Sequence, residues 1–418
     1  MTHKFLGYQC SLCGTTYEPD QVTYTCPKDG GNLDIILDDD AIRKIPPQKL
    51  IHTQEASLWR YLPFLPVGEP GGLGTPFRAA GWTPLFSPAR LAQELGLRYL
   101  WIKDESRNPT ASFKDRASSV VIARAREIGS EVVVTASTGN AGAALAGMAA
   151  ALGQKAVIFA PKTAPPAKIA QLLVFGATVL LVDGNYDAAF DLTIQASQAF
   201  GWYCRNTGYN PFTVEGKKTA ALEIWEALQT GLIAFQPKDK PLNVFVSVGD
   251  GNIISGIHKG FKDLLRLDLL PVMPRIFGIQ SELSAAVANA YFAHTETITP
   301  VSATTIADSI SVDLPRDGVR AVRAATQTGG AYLTVSDQEI LAAIPVLGKV
   351  GIFAEPAGST AYAGLVKAVA NGLISPDDPV VVINTGSGLK DVRSAMQAVG
   401  AAPVIEPTLE NVRRRLGL

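Results

Sequence analysis

The chain contains little cysteine and histidine, and it has no long stretch of uncharged apolar residues. Among its 418 residues, four are cysteine and four are histidine, and three of the cysteines lie close together near the start. A disulfide framework is therefore not expected. No uncharged apolar run reaches the roughly 18 residues that a membrane-spanning helix needs. The first residues also lack the apolar core of a signal peptide, so we expect a cytoplasmic protein without a membrane partner.

A surplus of one charge is absent as well. Lysine and arginine together number 37, and aspartate and glutamate number 38. The field of such a chain would not hold nucleic acid. The run from Arg413 to Arg415 is typical of a solvated helix face. A homodimer is the expected assembly, since closed dimers are the commonest oligomers.

From about residue 98 onward, short β-branched runs alternate with stretches of helical spacing. The runs are apolar throughout, which predicts strands that are covered on both faces. They are residues 99–103, 131–137, 155–161, 178–184, 243–249, 275–280 and 379–388. Strands that alternate with helices predict an α/β fold with parallel sheets. In such sheets, ligands bind beyond the carboxyl ends of the strands.

Turns rich in glycine or hydroxyl residues follow three of these strands, at 136–140, 248–252 and 385–388. In the second turn, glycines let the backbone approach a ligand, Asn252 can donate hydrogen bonds, and the next helix would aim N–H groups at an anion. The first turn would suit a carboxylate in the same way. The plainer alternatives are a strand-to-helix turn at 248–252 and an ordinary helix cap by Ser137 or Thr138.

The segment NPTASFKDRAS, residues 108–118, places Lys114 directly after Phe113 and just before Arg116. A lysine combined with a phosphate cradle and a carboxylate cradle fits a Schiff base with pyridoxal phosphate. The amine must be neutral to attack an aldehyde. Burial beside Phe113 and a cationic neighbour such as Arg116 would lower its pKa from about 10.4. Without the two cradles, a solvated lysine would be the better interpretation.

Four blocks of the sequence, in order along the chain, resemble the threonine synthases of the fold-type II group of pyridoxal phosphate enzymes. The blocks are IKDESRNPTASFKDRA, ASTGNAGAALA, VGDGNIISG and NTGSGLKD. The resemblance implies two open, twisted parallel-sheet domains, as in the tryptophan synthase β-like fold. Residues 41–124 and 211–418 would form a large cofactor-binding domain, and residues 125–210 a small substrate domain.

The resemblance also implies a role for each matching residue. Lys114 would carry the cofactor as a Schiff base and later move protons. Asn140 would hydrogen-bond the 3′-oxygen of the cofactor, and Thr385 would meet its pyridine nitrogen. The cofactor phosphate would lie against Gly249, Asp250, Gly251, Asn252 and Ile253. The carboxylate of a small amino-acid substrate would be held by Ser137, Thr138 and Gly139.

The implied reaction converts O-phosphohomoserine and water to threonine and phosphate, but two positions depart from the family pattern. Thr213 stands where many members have an arginine, and Ala141 stands where a hydroxyl residue often follows the asparagine. Both changes remove ligands for the substrate phosphate. The loss of these ligands would be compensated by another cation. Our hypothesis is Lys217 or Lys218, and Arg205 and Lys259 are further candidates. The alternatives are β-replacement on phosphoserine, as in cysteate synthase, ammonia-lyase chemistry, or a non-catalytic binding protein.

Residues 1–40 form a separate segment that resembles a zinc ribbon. Two residues separate Cys10 from Cys13, and two residues likewise separate Cys26 from Asp29. A zinc ribbon would have cysteine in the fourth place. Asp29 is the expected fourth ligand of a structural zinc, and His3 is another candidate. The alternative is a ribbon that folds without metal. Cys204, far from these residues, is expected to be buried.

Overall fold

The computed structural model describes residues 4–184, 186–235 and 240–418. The strands are β1 (Phe5–Cys10), β2 (Thr16–Tyr17), β3 (Leu33–Leu37), β4 (Leu85–Phe86), β5 (Leu100–Asp104), β6 (Val132–Ala136), β7 (Lys155–Pro161), β8 (Thr178–Val182), β9 (Tyr203–Cys204), β10 (Asn243–Ser247), β11 (Arg275–Ser281), β12 (Ala331–Val335) and β13 (Val380–Asn384). In the described part of the chain they form one antiparallel sheet and two mainly parallel sheets. The predicted α/β fold with parallel sheets is therefore confirmed.

Helices follow most of the parallel strands, as the alternating pattern indicates. The α-helices in the described ranges are α1 (Asp39–Arg43), α2 (Pro47–Leu50), α3 (Ala89–Glu94), α4 (Lys114–Glu127), α5 (Asn140–Ala151), α6 (Pro166–Val174), α7 (Tyr186–Phe200), α8 (Phe212–Gln229), α9 (Asn252–Arg266), α10 (Ala286–Phe292), α11 (Gly318–Thr326), α12 (Asp337–Gly348), α13 (Pro356–Ala370), α14 (Val392–Val399) and α15 (Leu409–Leu416). Short 3-10 turns lie at Leu58–Phe64, Pro76–Ala79, Glu105–Arg107, Asp308–Ile310 and Gly388–Lys390.

The chain begins with a small antiparallel sheet in the order β2-β1-β3. We call β1, β2, β3 and the turns between them the N-terminal unit. Along β3, burial alternates, so that Leu33, Ile35 and Leu37 face the core and Asp34 stays half-buried. This is the period-two pattern of a strand with one covered face. The unit lies within residues 1–40, and His3 falls outside the described residues.

The smaller parallel sheet has the order β8-β7-β6-β9. Its strands all lie within residues 125–210, and the domain bounds inferred from the sequence stay a prediction. Cys204 on β9 is buried as expected. The predicted burial of residues 178–184 is wrong: β8 is an edge strand, and Leu180 and Leu181 are 42% and 56% exposed. The apolar composition of β8 resembles that of a central strand. Its edge position follows from which strands pair, and this cannot be read from the strand alone.

The larger sheet has the order β12-β11-β10-β13-β5-β4. Its strands run parallel except β4, which pairs antiparallel with β5. The central strands β10 and β13 are buried along their whole length, as their apolar runs predict. Because parallel strands end at the same edge of a sheet, the turns after β10 and β13 lie on one side of the molecule.

Close packing of α8 against α9 positions one wall of the site. A Cβ added at Gly256 would lie 2.6 Å from the Cβ of Lys217, and one at Gly260 would lie 2.7 Å from the carbonyl oxygen of Lys218. Glycine therefore allows the two helices to approach closely. As a result, the side chains of α8 reach the first turn of α9.

The last helix, α15, has no buried residue in its described length. The arginines from 413 to 415 lie in its final turn, so the predicted solvated face is confirmed. Among the described residues, no helix combines the length and apolar character that crossing a membrane would require.

Candidate active site

The turn that carries Lys114 is fixed from both sides. Lys114 is the first residue of α4, and the preceding Phe113 is fully buried. The carboxylate of Asp115 accepts hydrogen bonds from the backbone N–H of Thr110, at 2.6 Å, and from its hydroxyl. The Phe113 N–H donates to the carbonyl oxygen of Thr385 at 2.9 Å. The lysine turn and the turn after β13 are therefore held side by side.

A cavity of about 690 Å³ lies beyond the carboxyl ends of β6, β10 and β13. Its walls contain all the residues that the sequence assigned to cofactor and substrate. They are Lys114, Ser137, Thr138, Gly139, Asn140, Gly249, Asp250, Gly251, Asn252, Ile253 and Thr385. The structure thus brings turns from distant parts of the chain to one site.

The turn after β10 forms a cradle, which we define as residues 249–253. Gly251 has a φ of +88°, and it precedes α9 without any side-chain cap. A Cβ at Gly249 would lie 2.8 Å from the Cα of Ile310, so only glycine fits there. The first N–H groups of α9 are consequently free to meet an anion.

The side chain of Asn252 is held at both ends of its amide. Its Nδ2 donates to Asp317 at 2.7 Å, and its Oδ1 accepts from Lys217 at 2.5 Å and from the Thr213 hydroxyl at 3.1 Å. The carboxylate of Asp317 takes one of the two N–H groups of this amide, and the expected donation to a ligand through the other stays a prediction.

The turn after β6 also leads into an uncapped helix. The cap position of α5 is Gly139, and no side chain hydrogen-bonds the first N–H groups. The alternative in which Ser137 or Thr138 merely caps the helix is thus wrong. Asn140 donates from Nδ2 to Glu355 Oε1 at 2.8 Å and to Ser309 Oγ at 3.3 Å.

Glu355 is a cavity residue that the sequence reasoning missed. It is 4% exposed and lines the cavity beside Asn140. Burial raises its pKa to about 7, against the lowering effect of Lys114, Lys390 and its bond to Asn140. Its place before Pro356 resembled an ordinary helix start. The carboxylate of Glu355 packs against Gly386, where an added Cβ would lie 2.3 Å from Oε1, and this contact between distant segments gives no local signal.

The electrostatic environment lowers the pKa of Lys114 to about 8. Burial is the largest cause, and the positive charge of Arg205 is the next, while Asp250 and Glu355 oppose both. The predicted neighbour, Arg116, is instead enclosed by carboxylates. Its guanidinium forms ion pairs with Glu105 at 2.7 Å and with Glu223. The predicted desolvation is present, with Lys114 half-buried at the cavity wall, but the cation that lowers its pKa is Arg205 and not Arg116.

Lys217 is the compensating cation that reaches the cavity. It is fully buried, lines the cavity, and donates to the oxygen of Asn252. Within the described residues, no ion pair joins it to a carboxylate. Burial, followed by the charges of Lys114 and Arg205, lowers its pKa well below the ordinary range. A buried ammonium held by one amide oxygen is costly unless an anion joins it.

The other proposed cations are engaged elsewhere. Lys218 forms ion pairs with Glu215 at 2.5 Å and Asp263 at 2.9 Å. Lys259 pairs with Asp263 at 3.0 Å. These lysines do not line the described cavity, so the hypothesis that Lys218 or Lys259 binds the ligand is wrong. Arg205 donates to the Ser118 and Thr207 hydroxyls. It does not line the described cavity, but its positive charge lowers the pKa of Lys114.

Of the two positions that depart from the family pattern, Ala141 and Thr213, one lies at the cavity and the other is buried in the protein. Ala141 lines the cavity. Thr213 is fully buried, and its hydroxyl donates to the Asn210 carbonyl at 2.7 Å. Thr213 and Lys217 lie four residues apart on α8, hence on one face of the helix. Both side chains contact the same oxygen of Asn252.

The sequence pattern of the family described as "Pyridoxal-phosphate dependent enzyme" matches residues 77–386. This range contains the cavity-lining turns. The threonine synthase of Methanocaldococcus jannaschii is 37% identical, and the alignment covers 98% of this chain and 98% of that protein. The chain belongs to the threonine synthase family of pyridoxal-phosphate dependent enzymes. The threonine synthase of Methanosarcina acetivorans is 36% identical, again over 98% of both chains.

Solved structures similar to this threonine synthase family member share its fold-type II architecture. The processed form of threonine deaminase isoform 2 from Solanum lycopersicum superposes with a TM-score of 0.66. The match covers 82% of this chain and 94% of that chain, at 24% identity. Maize serine racemase gives a TM-score of 0.60 at 23% identity, covering 73% of this chain and 88% of that chain. At these identities the likeness concerns the fold.

The cavity fits pyridoxal phosphate, the cofactor of this family. Lys114 supplies an amine of lowered pKa, and the cradle supplies uncapped N–H groups for a phosphate. A Cβ at Gly249 would collide with Ile310 and one at Gly251 with Asp317, so the shape of this cradle depends on glycine. Ser247 Oγ lines the same wall, is buried, and has no hydrogen-bond partner among the described residues. These are groups of the kind that a phosphorylated aldehyde requires.

The four predicted metal ligands of the N-terminal unit also converge. The ligand atoms of Cys10, Cys13, Cys26 and Asp29 all lie within 4.8 Å of one another. Cys10 Sγ lies 3.3 Å from Asp29 Oδ1, and the sulfurs of Cys13 and Cys26 are 3.8 Å apart. Three thiolates and a carboxylate at such separations suit tetrahedral zinc.

Proposed function

We propose that this chain catalyses the threonine synthase reaction, in which O-phosphohomoserine and water give threonine and phosphate. The observation that carries the proposal is the buried amine of Lys217 in the cavity, which has no ion-pair partner in the described part of the chain and whose charged form a bound phosphate would favour. A substrate phosphate needs a cation beyond those that hold the cofactor. Lys217 supplies it from the same face of α8 as the position where many family members have an arginine. The full-length similarity to threonine synthases supports the same reaction.

In this proposal, pyridoxal phosphate, when bound, supplies an electron sink for negative charge that develops beside the amino-acid nitrogen. Lys114 holds the cofactor covalently and then serves as the base and acid that moves substrate protons. Its lowered pKa suits this role, since a base works best near the ambient pH. Thr385 lines the cavity and would meet the pyridine nitrogen. A hydroxyl there stabilises a protonated ring less than a carboxylate would, and the electron sink is accordingly milder.

The remaining residues bind and orient in the proposed enzyme. The Ser137–Gly139 turn and the uncapped N-terminus of α5 hold the substrate carboxylate. Asn140 positions the cofactor's 3′-oxygen, and Glu355 fixes the amide of Asn140. The 249–253 cradle binds the cofactor phosphate. Lys217 then binds the phosphate that leaves.

The decisive experiment is a substrate comparison with purified, cofactor-saturated protein. We expect release of phosphate and formation of threonine from O-phosphohomoserine, detected by NMR. Phosphoserine with sulfite as the added nucleophile, and free threonine and serine, are the matched comparisons. Turnover of phosphoserine, or release of ammonia from a free amino acid, without any threonine from phosphohomoserine, would replace the proposed reaction by β-replacement or ammonia-lyase chemistry. Protein that turns over none of them contradicts the catalytic proposal.

We also propose a structural zinc ion at Cys10, Cys13, Cys26 and Asp29. A site closed by four protein ligands has no open position for chemistry, so the metal would stabilise the fold of the N-terminal unit. The homodimer and the cytoplasmic location inferred from the sequence stay predictions.

Metal analysis of the purified protein should give about one equivalent of zinc per chain. Combining Cys10→Ser with Cys13→Ser should abolish metal binding, since two of four ligands are lost, and should lower the Tm. The matched control is Cys204→Ser, which lies on β9, far from the metal ligands in the sequence, and should keep its metal. Wild-type protein that contains no zinc, and is equally stable with and without added zinc, would contradict this ligand set.

A further inference from the structure

The start of α11 packs directly against the cradle. The backbone N–H of Asp317 donates to the carbonyl oxygen of Asp250 at 2.9 Å. Its carboxylate accepts from Asn252 Nδ2 at 2.7 Å. A Cβ at Gly251 would lie 2.6 Å from the Asp317 carbonyl oxygen. No space separates the two segments, so any shift of α11 would move the cradle.

The same part of α11 is bound to the N-terminal unit by one arginine. Arg320 donates to both carboxylate oxygens of Asp317, at 2.6 and 2.8 Å. Its third nitrogen donates to Asp34 Oδ1 at 2.8 Å and to the Leu33 carbonyl at 3.2 Å. Asp34 and Leu33 belong to β3. The planar guanidinium thus joins β3 to the carboxylate that holds Asn252.

Other contacts join the N-terminal unit to the rim of the cavity. Asn32 Nδ2 donates to the carbonyl oxygens of Gly208, at 2.5 Å, and Arg316, at 3.1 Å. Arg316 lines the cavity. Farther along α11, Arg323 donates to the Ser11 carbonyl. The unit therefore holds the loop before α11 and the helix itself at several points.

This arrangement determines which way the amide of Asn252 points. Asp317 offers only acceptors, so it selects the Nδ2 end of the amide. The Oδ1 end then faces the ammonium of Lys217, which is a donor. In the opposite orientation, two donors would face each other and the carboxylate of Asp317 would meet an oxygen. The carboxylate of Asp317 thus controls where Lys217 is held.

We propose that the N-terminal unit is a positioning element of the cavity, which acts through Asp34, Arg320 and Asp317 on Asn252 and the cradle. Asp34 is the positioning residue that the N-terminal unit contributes. The inference needs the cofactor of the family, and it does not depend on which amino acid the enzyme converts. Its test can therefore be read without any substrate.

The test compares cofactor binding by Asp34→Asn and wild-type protein. After removal of the cofactor, the dissociation constant for pyridoxal phosphate should rise roughly tenfold in Asp34→Asn, since a charge-assisted contact is lost. The ³¹P resonance of the bound cofactor should shift or broaden. Asp34→Glu should recover most of the affinity. The matched control, Asp377→Asn, makes the same chemical change in an exposed carboxylate that pairs with Arg98. It should leave affinity and resonance unchanged.

Unchanged affinity and an unchanged ³¹P signal in Asp34→Asn, whether or not its Tm falls, would overturn the proposal and leave the contact purely structural. If Asp34→Asn does not fold, Arg320→Lys carries the same test, because lysine keeps the charge but cannot bind both carboxylates. A tenfold loss of cofactor affinity there supports the proposal, and wild-type affinity contradicts it. Absence of threonine synthase activity would not alter either readout.

Discussion

Replacement of Lys114 by alanine should lower the turnover of O-phosphohomoserine by roughly a thousandfold or more. The variant loses both the amine that attaches the cofactor and the group that moves substrate protons. Borohydride treatment of wild-type protein should fix the cofactor on the peptide that contains Lys114. The matched control is Lys155→Ala on β7, whose side chain is 74% exposed and should not affect catalysis.

The pH dependence of cofactor uptake gives an independent measure of the same lysine. The rate should rise with pH and level off above about pH 8, because the neutral amine is half formed at the pKa of about 8. A midpoint near the ordinary value of 10.5 would show that the cavity does not desolvate this lysine. Label on another lysine, or full activity in Lys114→Ala, would contradict the assignment.

The strands and the cavity turns could be predicted because their signals are local. A buried parallel strand such as Asn243–Ser247 is apolar throughout, and the glycine turn that follows it is legible in one short segment. The strand Ala331–Val335 was not predicted, and its half-buried Ala331 and Thr334 set it apart from the fully buried strands. The sequence also failed to predict that β8 is exposed. An edge position depends on which strands pair, and the residues of a single strand do not determine this.

The charge partners could not be predicted, because they depend on contacts between distant segments. Arg116 follows Lys114 closely in sequence, yet its guanidinium forms an ion pair with Glu223, which is over one hundred residues away. Lys217 and Lys218 are neighbours with opposite surroundings, since successive helix residues point in directions about 100° apart. Only the packing of α8 against α9 determines that Asp263 meets Lys218 and that Asn252 meets Lys217.

Lys217→Met should lower kcat/KM for O-phosphohomoserine roughly tenfold to a hundredfold. A charge-assisted contact to the substrate phosphate contributes about 1.5–3 kcal/mol, which corresponds to that range. Methionine keeps most of the volume and removes a buried amine that is costly to charge, so the free energy of unfolding should not fall. The measurement pairs steady-state kinetics with thermal unfolding of the cofactor-saturated protein.

Lys218→Met is the matched control, because it changes the adjacent residue in the same way but with the opposite consequence. It leaves Glu215 and Asp263 without one of their cationic partners, and removing one member of a buried ion pair is strongly destabilising. We therefore expect a lower Tm and little change in KM. Thr213→Arg, added to Lys217→Met, should restore part of kcat/KM, since both positions face Asn252. Unchanged kinetics in Lys217→Met would contradict its role. If that variant instead loses affinity for the cofactor without substrate, Lys217 serves the cofactor phosphate, and the leaving phosphate must be held by other donors of the cavity wall.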